Sequence, residues 1–301
     1  MSSALANNAR WEKSLLGFLE RQVLVTRKPI PKSIDLSGQT ALITGANVGL
    51  GLEAGKQLLE LGVSHLILAV RSKIKGDEAA SRLRRQYSAA EISVLIVDMD
   101  SYQSINSFVE QCKSLSRLDI VILNAGLMKQ KFALNTDTGH ESTFQVNYLS
   151  TILLTILLLP VLKAKRRLPG PSRLSVVTSD VAFWVSVKGD GGFFTQFDDP
   201  ANYNPMDTYG KAKLLLIMAV ARLAEYVNPE EMIVNTVNPG LTKGTAFSRE
   251  EGGVFEKYFL PFMKVLLARS LAVGASTYLD GALVQGSDSH GSYCSEWTIK
   301  P

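Results

Sequence analysis

The sequence predicts an α/β chain: one doubly wound domain with a mainly parallel, seven-stranded sheet and helices on both faces. Three observations carry that prediction. From Gln39 onward, short β-rich runs alternate with helical patterns. Several runs are apolar at every position, as in Ile120-Val121-Ile122-Leu123. A glycine-rich turn, Thr44-Gly45-Ala46-Asn47-Val48-Gly49-Leu50-Gly51, joins the first run to the first helix after it. Alternating strands and helices favour parallel pairing through helical crossovers, and a strand without a polar side is one covered on both faces.

Taken in order, residues 1–37 stand apart from the rest. Trp11, Leu15, Phe18, Leu19, Gln22 and Val23 recur at helical spacing before a Pro29-Ile30-Pro31 stop, so an accessory amphipathic helix and a linker are expected. Such a helix either packs back on the domain or, because basic residues flank its apolar ones, makes peripheral contact with a membrane. Residues 38–301 then form one domain. Its strands are expected at Thr40 to Thr44, His65 to Val70, Ile92 to Val97, Leu118 to Leu123, Arg173 to Thr178 and Met232 to Val237. The apolar run from Thr151 to Leu162 is shorter than a membrane span requires and reads as a buried helix. Leu15 to Val25 is broken by Glu20 and Arg21, so no secretory leader is expected.

Composition narrows the function classes. The 301 residues carry 32 Lys and Arg against 28 Asp and Glu, a mild +4 without a clustered basic field, so no nucleic-acid partner is expected. Cys112 and Cys294 have no CxxC neighbour, which suits a reducing, cytoplasmic compartment. His65, His140 and His290 show no HxH or HExxH spacing, so no metal is expected. The acid pairs Asp198-Asp199 and Glu250-Glu251 fall in predicted loops and are expected to be solvated.

The turn from Gly45 through Asn47, Val48, Gly49 and Leu50 to Gly51 lies where a doubly wound fold lays a dinucleotide pyrophosphate across a helix N-terminus. At the end of the second strand stands Arg71, where enzymes that prefer NAD place an acid on the ribose 2′-hydroxyl. A guanidinium there can pair with a 2′-phosphate, so NADP(H) is expected over NAD(H), with a solvated surface arginine as the alternative.

Tyr209 and Lys213, at i and i+4, share one helix face, and an ammonium one turn from a phenol stabilises the phenolate. Ser179 ends a strand, where its hydroxyl can polarise a carbonyl; Asn147 lies inside a predicted helix; Asn124-Ala125-Gly126 ends the fourth strand.

With these motifs in this order, residues 38–301 resemble the short-chain dehydrogenase/reductase family and its Rossmann-type fold. The likeness rests on Thr44, Gly45, Gly49 and Gly51 (TGxxxGxG), Asn124 to Gly126 (NAG), the tetrad Asn147, Ser179, Tyr209 and Lys213, and Pro239-Gly240. The 30-residue spacing of Ser179 and Tyr209 and the ending from Gly291 are similar to retinol-dehydrogenase-like enzymes. The N-terminal helix resembles fungal members associated with secondary metabolism.

The resemblance implies hydride transfer between a nicotinamide and a carbonyl or alcohol carbon. Tyr209 would donate the proton, Ser179 would bond the same oxygen, Lys213 would lower the tyrosine pKa and hold the ribose, and Asn147 would position a water. Asp98, with Met99 beside it, would contact the adenine, and Thr242 the nicotinamide. Where the family commonly has Thr or Ser, four residues after the Gly of PG, this chain has Gly244; Ser179 is followed by Asp180, a carboxylate that disfavours an anionic neighbour.

Aromatic residues gather in a substrate loop at about 180–208, including Phe183, Trp184 and Tyr203, and in a lid at about 241–270, including Phe247. They point to a lipophilic substrate, polyketide-like, terpenoid or retinoid-like, with ordinary core or a subunit interface as the alternative. The expectation is an NADPH-dependent reductase; the other reading is a non-redox member, an isomerase, a dehydratase or a nucleotide-binding regulatory module. The helices at Thr151 to Leu162 and after Tyr209 resemble the pair through which family members form a homodimer, and a core role is the alternative.

Overall fold

The computed structural model describes residues 10–167, 170–189, 192–244 and 267–300. Eight strands form one sheet: β1 (Thr40–Thr44), β2 (His65–Val70), β3 (Glu91–Ile96), β4 (Ile120–Leu123), β5 (Ser172–Val177), β6 (Met232–Asn238), β7 (Tyr293–Ser295) and β8 (Thr298–Lys300). Their order is β3-β2-β1-β4-β5-β6-β7-β8. The first seven pair in parallel, and β8 runs antiparallel to β7. The sheet therefore has one strand more than expected. The added strand is three residues long, and the turn before it carries Glu296 and Trp297 at φ 50° and 56°, left-handed values that non-glycine residues seldom adopt. No glycine or apolar alternation announces such a hairpin.

Helices cover both faces. One layer holds α2 (Gly49–Glu60), α3 (Lys73–Gln86) and α7 (Leu271–Leu279); the other holds α4 (Tyr102–Lys113), α5 (Thr151–Lys165) and α6 (Pro205–Ala224). Strand β1 shows why every strand reads as apolar. Its Ile43 packs with Ala54, Leu58 and Tyr278 on one side, and Leu42 packs with Phe108, Leu154 and Leu216 on the other. Both sides of the sheet are core, so Leu42 and Ile43 are alike fully buried. Truncating a fully buried ring such as Phe108 costs about 3–5 kcal/mol.

The helical run that ends in α5 is longer than the sequence suggests. A one-turn helix (Ser142–Phe144), a π-helical turn (Gln145–Ser150) and α5 continue into one another over 24 residues, long and apolar enough to cross a membrane. More than half of that window is buried, with Leu154, Leu158, Val161 and Leu162 in the core, which makes it an interior helix.

Helix α1 (Leu15–Val23) packs against the domain with only part of the expected face: Gln22 is buried and Phe18 and Leu19 are half-buried, while Trp11, Leu15 and Val23 stay outside. Its buried residues are Gly17, Arg21 and Gln22, whereas Trp11, Leu15, Leu16, Val23 and Leu24 are exposed. A polar face is inward because charged partners wait for it there.

Strand β1 pairs with both β2 and β4, so the strand order reverses between them and opens a crevice at their carboxyl ends. The glycine-rich turn leaves β1 at that crevice.

Candidate active site

Gly45 and Gly49 adopt φ 67° and 63°, which the turn between β1 and α2 requires and a side chain would resist. A Cβ on Gly51 would lie 2.6 Å from Asn124 Nδ2 and 2.7 Å from the Gly45 carbonyl oxygen. The cradle is thus closed to any side chain at position 51. Val48 stands at the N-cap of α2 and supplies no side-chain hydrogen bond, so the first N–H groups of this 12-residue helix face the crevice without a side-chain cap. A glycine cradle against an uncapped helix start fits a pyrophosphate. Asn47 and Leu50 flank it, half-buried.

Asn124 and Ala125 fix this turn from β4. The Asn124 amide donates to the Thr44 carbonyl at 2.9 Å, and the Ala125 N–H donates to Thr44 Oγ1 at 2.9 Å. Tyr278 of α7, which the sequence analysis does not single out, donates its hydroxyl to Asn124 Oδ1 at 3.1 Å. Nothing local marks Tyr278, since its partner lies 154 residues away.

Arg71 follows β2 directly and is 59% exposed, with Nη1 3.5 Å from the Asp100 carboxylate. Asp98 follows β3, half-buried, and accepts the Asp100 N–H; burial and the nearby Asp98 charge raise the Asp100 pKa, which Arg71 lowers in part. Met99 is buried, and its carbonyl accepts the Ser150 hydroxyl at 2.5 Å.

The tetrad residues come together. Ser179 follows β5 and caps the short 3-10 turn Asp180–Trp184, while Tyr209 lies in the first turns of α6, whose N-cap Asn204 accepts the Asp207 N–H. Ser179 and Tyr209 share a hydrogen bond. Gly210 lets this turn approach α6, because a Cβ there would meet Val185 at 2.8 Å and Val181 at 3.1 Å. Lys213, 4% exposed, donates to the Val177 carbonyl at 2.9 Å and lies 5.6 Å from the Tyr209 ring centre. Burial lowers Lys213 to about 7, and burial, with the Asp180 charge, pushes Tyr209 up while the Ser179 bond opposes it. Burial acts on both groups, raising the phenol and holding back the ammonium one turn along the helix.

Asn147 sits in the π-helical turn, a local irregularity that recurs at functional sites. Its Nδ2 donates to the Leu127 and Thr143 carbonyls at 2.6 and 2.9 Å, and its Oδ1 accepts the Leu127 N–H at 3.1 Å. The side chain thus holds the backbone just after Gly126. A Cβ on Gly126 would lie 2.6 Å from Asn147 Oδ1 and 3.6 Å from Lys213 Nζ, so Gly126, Asn147 and Lys213 form one group.

Pro239 and Gly240 follow β6, with Gly240 at φ 69° packed against Arg269 and Gln22. Thr242 is buried and its hydroxyl donates to the Gly240 carbonyl at 3.1 Å. Gly244 has φ 78°, a reason for glycine where the resemblance leads one to expect Thr or Ser.

The aromatic residues divide. Phe183 meets Tyr293 edge-on, and Tyr203 donates to the Lys129 carbonyl at 2.7 Å. Trp184 meets Phe18 of α1 edge-on and donates Nε1–H to the Lys13 carbonyl at 3.0 Å, so it faces the N-terminal helix. Phe193 and Phe197 pack on Phe144, and Phe194 stacks on His140. Part of the loop's aromatic content is therefore core. Phe247 lies outside the described residues. Asp198, expected to be solvated, pairs with His140 at 2.8 Å and accepts the Glu141 N–H. Among the described residues no group of three or more His, Cys, Asp or Glu could hold a metal.

A family model described as short chain dehydrogenase matches residues 39–170. The short chain dehydrogenase virL of Hypocrea virens is 50% identical over 303 residues, spanning all of this chain and 88% of that protein. The chain belongs to the short-chain dehydrogenase/reductase family. The short chain dehydrogenase opdN of Penicillium oxalicum is 42% identical over 313 residues, covering both chains in full. Among solved structures, L-sorbose reductase from Gluconobacter frateurii, complexed with NADPH and L-sorbose, matches with a TM-score of 0.64 at 21% identity, over 87% of this chain and 96% of that one. As a family oxidoreductase, this short-chain dehydrogenase/reductase has a fold that implies a nicotinamide dinucleotide, and the space beside the turn from Gly45 to Gly51 fits a pyrophosphate.

Proposed function

We propose that this enzyme reduces a ketone or aldehyde on a lipophilic substrate with NADPH. The observation that carries the reading is the hydrogen-bonded Ser179–Tyr209 pair at the carboxyl edge of β5, with Lys213 buried one turn along α6. Two hydroxyls that already share a bond can converge on one carbonyl oxygen. When bound, the reduced nicotinamide supplies the hydride to the carbonyl carbon. Tyr209 gives its proton to the oxygen as charge develops there, Ser179 donates to the same oxygen, and Lys213 supplies positive charge beside the tyrosinate left behind. Asn147 keeps the Gly126–Leu127 backbone in place next to Lys213.

Arg71 at the end of β2 supports NADPH, because it can exchange its loose Asp100 contact for a 2′-phosphate. Phe183, four residues after Ser179, and the aromatic-rich sequence of 245–266 support a lipophilic substrate. A panel of lipophilic and small hydrophilic carbonyls, assayed with wild type and Tyr209→Phe, tests the reading. The expected result is turnover of lipophilic members only, lowered at least about 100-fold in the variant. NADPH binding without Tyr209-dependent turnover would return the non-redox alternative.

The outward Leu15, Leu16, Val23 and Leu24 of α1, with Arg10, Lys13, Arg27 and Lys28 around them, support peripheral contact with an internal membrane from the cytoplasmic side. Anionic vesicles should retain wild type and release a Leu15→Glu/Leu16→Glu variant; equal retention would refute the contact.

A further inference from the structure

Behind Ser179 the fold assembles six charges from four separate segments. Arg21 and Glu12 come from α1 and the turn before it, Asp180 from the turn after Ser179, Arg269 from the segment leading into α7, and Glu296 and Lys300 from the β7–β8 hairpin. Their side chains are 2% to 13% exposed. Arg21 lies 2.6 Å from Glu12, 3.7 Å from Glu296 and 4.0 Å from Asp180; Arg269 lies 3.5 Å from Glu296, and Lys300 lies 2.8 Å from Glu12. Three cations balance three anions. Exchange of the hairpin's two left-handed residues for an ordinary turn would move Glu296 out of this group.

The same helix reaches the other segments that bound the site. Gln22 accepts the Leu241 N–H at 3.0 Å and donates to the Leu241 and Leu267 carbonyls, both at 2.8 Å. Arg269 donates to the Arg21 carbonyl at 2.6 Å. Trp184 is tied to Lys13 and Phe18. Helix α1 therefore touches the Ser179 turn, the backbone after Pro239-Gly240, and the residues before α7.

We propose that the N-terminal helix is a positioning element of the reaction centre: Arg21 Nη2, which has no hydrogen-bond partner, faces the Asp180 carboxylate at 4.0 Å and sets the charge beside Ser179 and Tyr209, while Gln22 fixes the backbone at Leu241 and Leu267. The proposal rests on the oxidoreductase reading and assigns to residues 10–24 a part in that chemistry. Asp180 is faced by Arg21 from α1, Arg269 from before α7, Glu296 from the hairpin, Tyr293 from β7 and Tyr209 from α6. Burial and Glu296 raise Asp180 to about 6, against the two arginines, and the Asp180 charge in turn raises Tyr209. Loss of Arg21 leaves the group with an excess negative charge next to the proton donor. Asp180→Asn in the same chain restores the balance.

Full-length wild type, Arg21→Met, Arg21→Lys, Asp180→Asn and the Arg21→Met/Asp180→Asn double variant test it. Carbon NMR of 13C-carboxyl aspartate, with Asp180→Asn for assignment, follows Asp180, and kcat and KM for NADPH-driven ketone reduction are measured across pH. In Arg21→Met the Asp180 midpoint is expected to rise and kcat to fall about ten-fold, with the cofactor KM within about two-fold. Arg21→Lys is expected to keep the midpoint and lose less, and the double variant to recover most of kcat. An unmoved midpoint overturns the Arg21–Asp180 link with no turnover measured; a moved midpoint with wild-type kcat overturns the positioning role. If Arg21→Met does not fold, a double variant that matches Asp180→Asn with an intact Arg21 supports the role, and a double variant well below Asp180→Asn overturns it. Wild type without Tyr209-dependent turnover refutes the reductase reading alone, and the Asp180 midpoint still decides the link.

Discussion

Gly51→Ala puts the nucleotide cradle to a quantitative test. The new methyl carbon would lie 2.6 Å from Asn124 Nδ2 and 2.7 Å from the Gly45 carbonyl oxygen, both inside contact distance. The amide must move, and it holds the Thr44 carbonyl at 2.9 Å while its Oδ1 accepts from Tyr278 at 3.1 Å. Loss of two such bonds costs about 1–3 kcal/mol, and the forced shift of the turn adds about 1–3 kcal/mol. The sum, about 2–6 kcal/mol, corresponds to a fall in Tm on the order of 10 °C for a chain of this size. Because the displaced groups line the anion site, the Kd for NADPH should also rise more than about ten-fold, or about 1.4 kcal/mol. Gly189→Ala is the control, since a Cβ there meets nothing within 4 Å. Thermal unfolding and fluorescence titration with NADPH measure both effects. A Gly51→Ala protein with wild-type Tm and wild-type NADPH affinity would refute the cradle geometry and the role given to Asn124.

Burial lowers Lys213 to about 7 in the folded chain, against an unfolded value near ~10.4. From about pH 7 upward the unfolded chain binds that proton and the folded chain does not, so cofactor-free stability should gain with pH between about 7 and 9, a gain absent in Lys213→Met. Denaturant melts of both proteins across that window measure it, and parallel pH curves would refute the buried-lysine account. Arg71→Asp should reduce the NADPH-over-NADH ratio of kcat/KM at least about ten-fold with little change in Tm, since Arg71 is 59% exposed. An unchanged ratio would leave Arg71 a surface residue.

Much of the fold could be read directly from the chain. Strands β1, β2, β4, β5 and β6 lie within a residue or two of their expected positions because strands covered on both faces have to be apolar throughout. The glycine turn and the Tyr209–Lys213 spacing were equally legible, since both are local geometry: φ above zero in one case, one helical turn in the other. The aromatic loop misled, because Phe193, Phe194 and Phe197 serve the packing around Phe144, and composition does not distinguish a pocket wall from core.

What the sequence by itself determined was therefore the layered fold, the glycine turn after β1 and the one-turn spacing of Tyr209 and Lys213. Tertiary structure alone decided which polar side chains are interior. Arg21, Arg269 and Glu296 read as solvated in any local window, yet they are buried together because segments from both ends of the chain converge behind Ser179. Helix α1 shows the physical reason most directly. Its periodicity identified a stripe that includes Gln22, but the apolar members Trp11, Leu15 and Val23 stay exposed, and burial went to Gln22, which backbone groups satisfy, and to Arg21, which Glu12 and the charges around it face. Apart from Glu12, nine residues before Arg21, those partners lie more than 150 residues away in the chain, as the 219-residue separation of Gln22 and Leu241 illustrates, and no periodicity encodes them.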